Sequence, residues 1–193
     1  MQDIIVKLTA KNDKYACSIA DKIISESRET DEWYEYFDSF VSLLNHPKSL
    51  VRNRALHILA ANAQWDDNNR FDAILSEYLS HITDEKPITA RQCIKALVQV
   101  GMAKPQYIPR IKACFRSADL SKYKDSMRPL IERHFLLEYI FQALHLNLVD
   151  NYFLLLNQPH TLLRQKFLSF ENKKHNQDLE SKLHLVLLDF LLD

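Results

Sequence analysis

Few residues in this 193-residue chain stand at spacings that could do chemistry. His134 and Glu138 lie i, i+4 along a helical stretch, a separation at which two side chains can share one metal ion. No HExxH motif and no third ligand at a telling distance accompany them, and the eight histidines are scattered, so no metal site is expected. The adjacent carboxylates Asp66 and Asp67 follow Trp65 in a polar loop and read as solvated rather than as an acid–base pair. Cys17, Cys93 and Cys114 are far apart and form no CxxC pair. Each falls among helical apolar positions, where a small buried hydrophobe is the expected role. No GxSxG, P-loop or locally spaced Cys–His pair is present, and no cofactor is expected.

Charge and aromatic groups suggest binding instead. Arg52, Arg91 and Arg128 each follow an apolar or small residue: Val51, Ala90 and Met127. They could present a basic ladder to an acidic partner, or bond carboxylates and carbonyls of neighbouring turns. Their shared register favours the structural role. Residues 104–128 hold Lys104, Arg110, Lys112, Arg116, Lys122, Lys124 and Arg128, interleaved with Tyr107, Phe115 and Tyr123. A phosphate-binding patch would look like this, but so would a solvated helix face over core aromatics, which is the commoner case. Net charge is zero overall but uneven. Residues 1–40 carry five basic and nine acidic groups, 81–135 eleven and five, and 136–193 five and seven. That is a weaker footprint than a dedicated nucleic-acid binder has.

The elements that must position these groups are helices. There is a single glycine, Gly101. Strand-rich folds lean on glycine turns, and nucleotide-binding α/β folds on a glycine-rich loop, so both are disfavoured. Helical spacing runs through Tyr15, Ile19, Ile23 and Ile24, and then through Trp33, Phe37, Phe40 and Val41. Leu50, Val51, Ala55, Ile58 and Leu59 fill a wide arc, and Phe71, Ile74, Leu75, Tyr78, Leu79 and Ile82 repeat at i, i+3, i+4, i+7. Ile88, Ile94, Leu97, Val98 and Met102 follow, then Tyr107, Ile108, Ile111 and Phe115. Three further runs lie around Tyr152–Leu156, Leu162–Phe170 and Leu183–Leu192. Pro47, Pro87 and Pro105 stand near helix starts, and Asp31 is placed to cap one. No stretch reaches the roughly 18 apolar residues of a membrane span, and the N-terminus is too charged for a signal peptide. With unpaired cysteines, this points to a soluble, cytoplasmic protein that does not bind membranes.

The second helices can be laid over one another. Val51-Arg52-Asn53-Arg54-Ala55, Ala90-Arg91-Gln92-Cys93-Ile94 and Met127-Arg128 repeat with the arginines 39 and 37 residues apart (52 to 91, 91 to 128). With two helices per unit, such a period indicates stacked repeats. The chain here resembles the HEAT/armadillo-like family, whose second helix follows an acidic or proline-containing turn and carries Val-Arg before Ala. The stretch from Asp84 to Arg91 looks the same, and so does Asp125-Ser126-Met127-Arg128. The resemblance implies an all-α fold of antiparallel helix pairs stacked as a short superhelix, or solenoid. The whole chain, 1–193, then reads as one domain: a degenerate first unit over 1–30, HEAT-like units over 31–135 and a C-terminal helical cap over 136–193.

The resemblance also implies a function. In such stacks the second helices line the concave face, which makes Asn53, Arg54, His57, Gln92 and Lys95 candidate partner contacts. Trp65 is a further candidate, either plugging the top of a unit or meeting a partner. The expected role is a non-catalytic scaffold that binds a protein or peptide. The alternative is nucleic-acid binding of the kind seen in HEAT-like alkylpurine DNA glycosylases, for which Trp65, Asp66 and Asp67 would be the relevant residues. The run Leu183–Leu192 is apolar nearly all round, so it is expected either to be buried or to meet another chain as an oligomerisation helix.

Overall fold

The computed structural model describes residues 2–128 together with Ile131, and these are helical, with no strand among them. The chain divides into two units between Phe135 and Leu136, and the described residues belong to the first. The three C-terminal runs, the apolar run at 183–192 among them, lie outside the described residues, as does the His134/Glu138 pair.

Helix α1 (Gln2–Leu8) carries an Asp3–Lys7 ion pair one turn apart. Helix α2 (Asp13–Glu26) starts at Asn12, whose side chain accepts the Tyr15 amide at 3.1 Å and satisfies one of the free first-turn donors. A 3-10 turn at Glu32–Tyr36 runs into the short α3 (Phe37–Val41). Asp31 precedes that turn, but its side chain makes no capping bond. Next come α4 (Ser49–Asn62), α5 (Arg70–Ser80), α6 (Pro87–Ala103) and α7 (Ile108–Ser117). Pro87 opens α6, where its missing N–H leaves no bond unmade. Among the described residues the one positive φ is at Asn69 (φ 55°), at the start of α5, so the chain turns there on an asparagine while Gly101 stays helical.

Three turns are built alike. His46 Nδ1 accepts the Lys48 amide, Asp84 Oδ1 the Lys86 amide and Asp119 Oδ1 the Ser121 amide, each two residues on. This is the side-chain turn mimic that Asp and Asn favour. His46 fills in the first turn the role that Asp84 and Asp119 fill in the other two.

Helix α4 packs against both α2 and α6. It is buried on almost every side, and Val51, Ala55, Leu56, Ile58, Leu59, Ala60 and Ala61 are all closed from solvent. Close approach of α4 and α6 selects small residues, so the buried side of α6 is made of Thr89, Ala90, Cys93, Ile94, Ala96, Leu97, Val100 and Gly101. That choice corrects the expected apolar stripes. Leu50 (45%), Ile88 (43%) and Met102 (50%) are exposed, because the smaller neighbours take the interior. In α2 the buried positions are Ala16, Ala20 and Ile23, while Tyr15 and Cys17 face outward. Cys17 is therefore not the small core hydrophobe expected of it. Cys93 is buried and Cys114 partly so.

Candidate functional site

Two polar seams and one open face organise the described residues. The first seam lies at the turn before α4. Arg52 donates from Nε and Nη2 to both carboxylate oxygens of Asp84, at 2.8 and 2.7 Å, and from Nη1 to the carbonyls of His46 and Pro47. His81 Nδ1 bonds the same carboxylate at 3.0 Å. Burial works against the Asp84 charge, but the bonds from His81, Arg52 and the Lys86 amide hold its carboxyl well below the usual carboxylate range. Tyr123 donates its hydroxyl to the Asp84 carbonyl.

The second seam is centred on Asp66. The side chain is fully buried, against the expectation that it would be solvated, while Asp67 is exposed. Asp66 accepts the Arg70 and Phe71 amides (2.7 and 3.0 Å), opening α5, and it accepts the Tyr34 hydroxyl at 2.5 Å. Burial and the Asp66 carboxylate together push the Tyr34 phenol up to about 12. Lys104 donates to the Asp66 carbonyl at 2.7 Å. Arg70 pairs with Asp38 at 2.7 Å and lies over the Tyr34 and Phe37 rings. Phe37, Phe71 and Tyr107 follow one another with ring centroids 6.1 and 6.0 Å apart. Trp65 turns inward here: its Nε1 donates to the Ser27 carbonyl at 2.7 Å, at the end of α2.

The open face lies where α4 and α6 run side by side, and it gathers four of the six candidate residues. His57 Nε2 donates to Gln92 Oε1 at 2.8 Å. Burial lowers the His57 pKa; the Gln92 bond opposes that shift, the Lys95 charge adds to it and Asp21 of α2 counters it. Lys95 is exposed. Asn53, one turn before His57, is half-buried and its Oδ1 has no hydrogen-bond partner. Arg54 does not join them. Its guanidinium is buried and binds the Leu8 carbonyl and the Asp13 carboxylate, both at 2.9 Å, which ties α4 to the α1–α2 turn.

Sequence reasoning missed Arg91 as a surface residue. Arg52 and Arg128 both bond turn carbonyls, as the structural reading of the arginine series expects. Arg91 does not, and its buried Nε has no partner. The burial pattern explains why. The buried positions 51, 55, 58, 59 and 62 of α4 match 89, 93, 96, 97 and 100 of α6, a shift of 38. That shift sets Arg91 against Asn53 rather than against Arg52.

Of the basic stretch, Lys104, Arg110, Lys122 and Arg128 are bonded within the fold. Arg110 pairs with Asp72 at 2.7 Å and Lys122 donates to the Thr83 carbonyl. Among the described residues, no group of three His, Cys, Asp or Glu side chains is arranged to hold a metal ion, and no helix is long and apolar enough to cross a membrane. No protein-family model, curated protein or solved structure matches the chain significantly.

Proposed function

We propose that the chain is a short stack of HEAT-like helix pairs that serves as a non-catalytic scaffold, binding a protein or peptide segment across α4 and α6. Stacked repeats are supported by contacts that recur at near-constant separation. Tyr34 reaches Asp66 and Arg52 reaches Asp84, both 32 residues on, while Lys104 reaches back to Asp66 and Arg110 to Asp72, both over 38. Aligned polar and aromatic ladders of this kind join neighbouring units of a helical solenoid.

The observation that carries the binding role is a half-buried cation without a counter-ion beside exposed aliphatics. Leu50 and Ile88 are exposed there, and Arg91 is half-buried with no ion pair among the described residues. A partly desolvated guanidinium next to exposed aliphatic side chains supports a surface built for contact. Nucleic-acid binding is less well supported, because Lys104, Arg110, Lys122 and Arg128 of the 104–128 stretch are bonded to other groups of the chain. Asp66, the buried member of the carboxylate pair, is occupied in opening α5.

Random-peptide display on the full-length protein tests this reading. The expected result is a set of enriched binders whose affinity is lost in the double variant Leu50→Asp, Ile88→Asp while its helical content is kept. Binders indifferent to that variant, or no enrichment at all, would overturn it.

A further inference from the structure

We infer that the segment bound across α4 and α6 is acidic and aliphatic, with one partner carboxylate seated on Arg91; this rests on the docking reading above. The two helices present the same pattern of residues. Leu50, Asn53 and His57 on α4 correspond to Ile88, Arg91 and Lys95 on α6, each 38 residues on (50 to 88, 53 to 91, 57 to 95). The spacing i, i+3, i+7 puts each trio on one side of its helix. The His57–Gln92 bond holds the two sides next to each other.

Arg91 is an exception among the arginines. Every other buried or half-buried arginine of the described residues has a carboxylate: Arg52 has Asp84, Arg54 has Asp13, Arg70 has Asp38 and Arg128 has Asp125. Arg91 is half-buried, makes no ion pair among the described residues, and has its Nε closed from water without a partner. A partly desolvated guanidinium without a counter-ion is costly, and a planar carboxylate is the group that its fork of donors fits. Lys95, one turn on and exposed, adds a second positive charge for the same partner.

The neighbouring groups narrow the class further. Leu50 and Ile88 offer an apolar strip beside these groups, suited to an aliphatic side chain. Asp21 borders the face from the α2 side, and its charge acts on His57. A phosphate backbone, which draws its affinity from a run of cations, finds here only Arg91 and Lys95, opposed by Asp21. A short acidic peptide matches the charge and the apolar strip together.

The display binders supply the probes, used as synthetic peptides on the full-length protein. Enriched sequences are expected to carry Asp or Glu beside an aliphatic residue. Their affinity is expected to fall about tenfold or more in Arg91→Gln, with the unfolding midpoint not lowered. Changing the peptide's acidic residue to its amide should weaken binding to the wild type but add little to the loss in Arg91→Gln, because the two changes remove one interaction. Binders that need Leu50 and Ile88 but carry no acidic residue, or ignore Arg91→Gln, sink the inference and leave the docking reading standing. Binders that need neither the aliphatics nor Arg91 sink both. Peptides that bind only when the acidic residue is replaced by phosphoserine, or that duplex DNA or RNA displaces, also overturn it.

Discussion

The turn seam around Asp84 and the open face around Arg91 use similar residues to opposite ends. In the seam, Arg52 spends its donors on both oxygens of Asp84 and on two turn carbonyls, and His81 adds a third side chain. On the open face, Arg91 is half-buried with no carboxylate among the described residues, and Asn53 Oδ1 has no donor. The bonds on Asp84 fix its geometry and hold helices in place, and removing one member strands the others, although His81 Nε2 is itself buried without a partner. A half-buried cation with no counter-ion contributes little to the fold and can take one from a partner. The difference separates the arginine that builds the molecule from the one placed to meet something else.

The largest expected effect lies in the seam. Arg52→Met leaves the Asp84 carboxylate buried with only His81 and an amide, and should cost about 3–5 kcal/mol in urea unfolding. Arg91→Gln should leave stability unchanged or raise it by up to about 1 kcal/mol. Equal losses in the two variants would erase the contrast. Next in size is Asp66→Ala, which strands the Arg70 and Phe71 amides and the Tyr34 hydroxyl in a buried site, at about 2–3 kcal/mol. Hydrogen exchange should quicken first at those two amides. Protection that stays uniform along α5 would show that Asp66 does not hold its start.

Mild acid sharpens the comparison. The folded pKa of His57 is lowered, so below about pH 6.5 the unfolded chain takes up a proton that the folded protein refuses. This contribution is present above pH 6.5 and is lost as pH falls towards the folded value. Asp84, whose folded pKa is also lowered, loses its contribution only below the ordinary carboxylate range. Melting temperature should therefore drop between pH 7.5 and 5, and the drop should shrink in His57→Gln. An unchanged slope in that variant would assign the loss to another group.

Much of this was legible in the chain, and the failures share a physical cause. Helix content followed from apolar spacing and the lone Gly101, and Arg52 was read as a structural arginine from its place after Val51. Hydrophobicity failed where helices approach closely. On α6 the interior goes to Thr89, Ala90, Cys93 and Gly101, while Ile88 and Met102 stay outside, and no side-chain scale anticipates that inversion. Asp66 reads as solvated because its hydroxyl partner, Tyr34, is 32 residues away. Arg91 was aligned with Arg52 by residue type, whereas burial aligns it with Asn53. Of the candidate contacts, His57, Gln92, Lys95 and Asn53 share the open face, while Arg54 and Trp65 bind internal carbonyls.

The smallest effect is the most discriminating, because one chemical change should act in opposite directions. Tyr78 and Tyr107 are both buried and both pack against Phe71, with centroids 5.2 and 6.0 Å from its ring. The Tyr78 hydroxyl donates to the Leu56 carbonyl at 2.7 Å, so it belongs to a closed set of groups. The Tyr107 hydroxyl is buried with no partner. Tyr78→Phe removes a made bond and should destabilise by about 0.5–1.5 kcal/mol. Tyr107→Phe removes only an unmet polar atom, and should be neutral or stabilising by up to about 1 kcal/mol. Both variants keep the ring and its packing, so the difference between them reports hydrogen bonding alone. Matching losses in thermal unfolding would mean that Tyr107 finds a partner in solution, and that an unmet group in this fold does not by itself mark a place left for one.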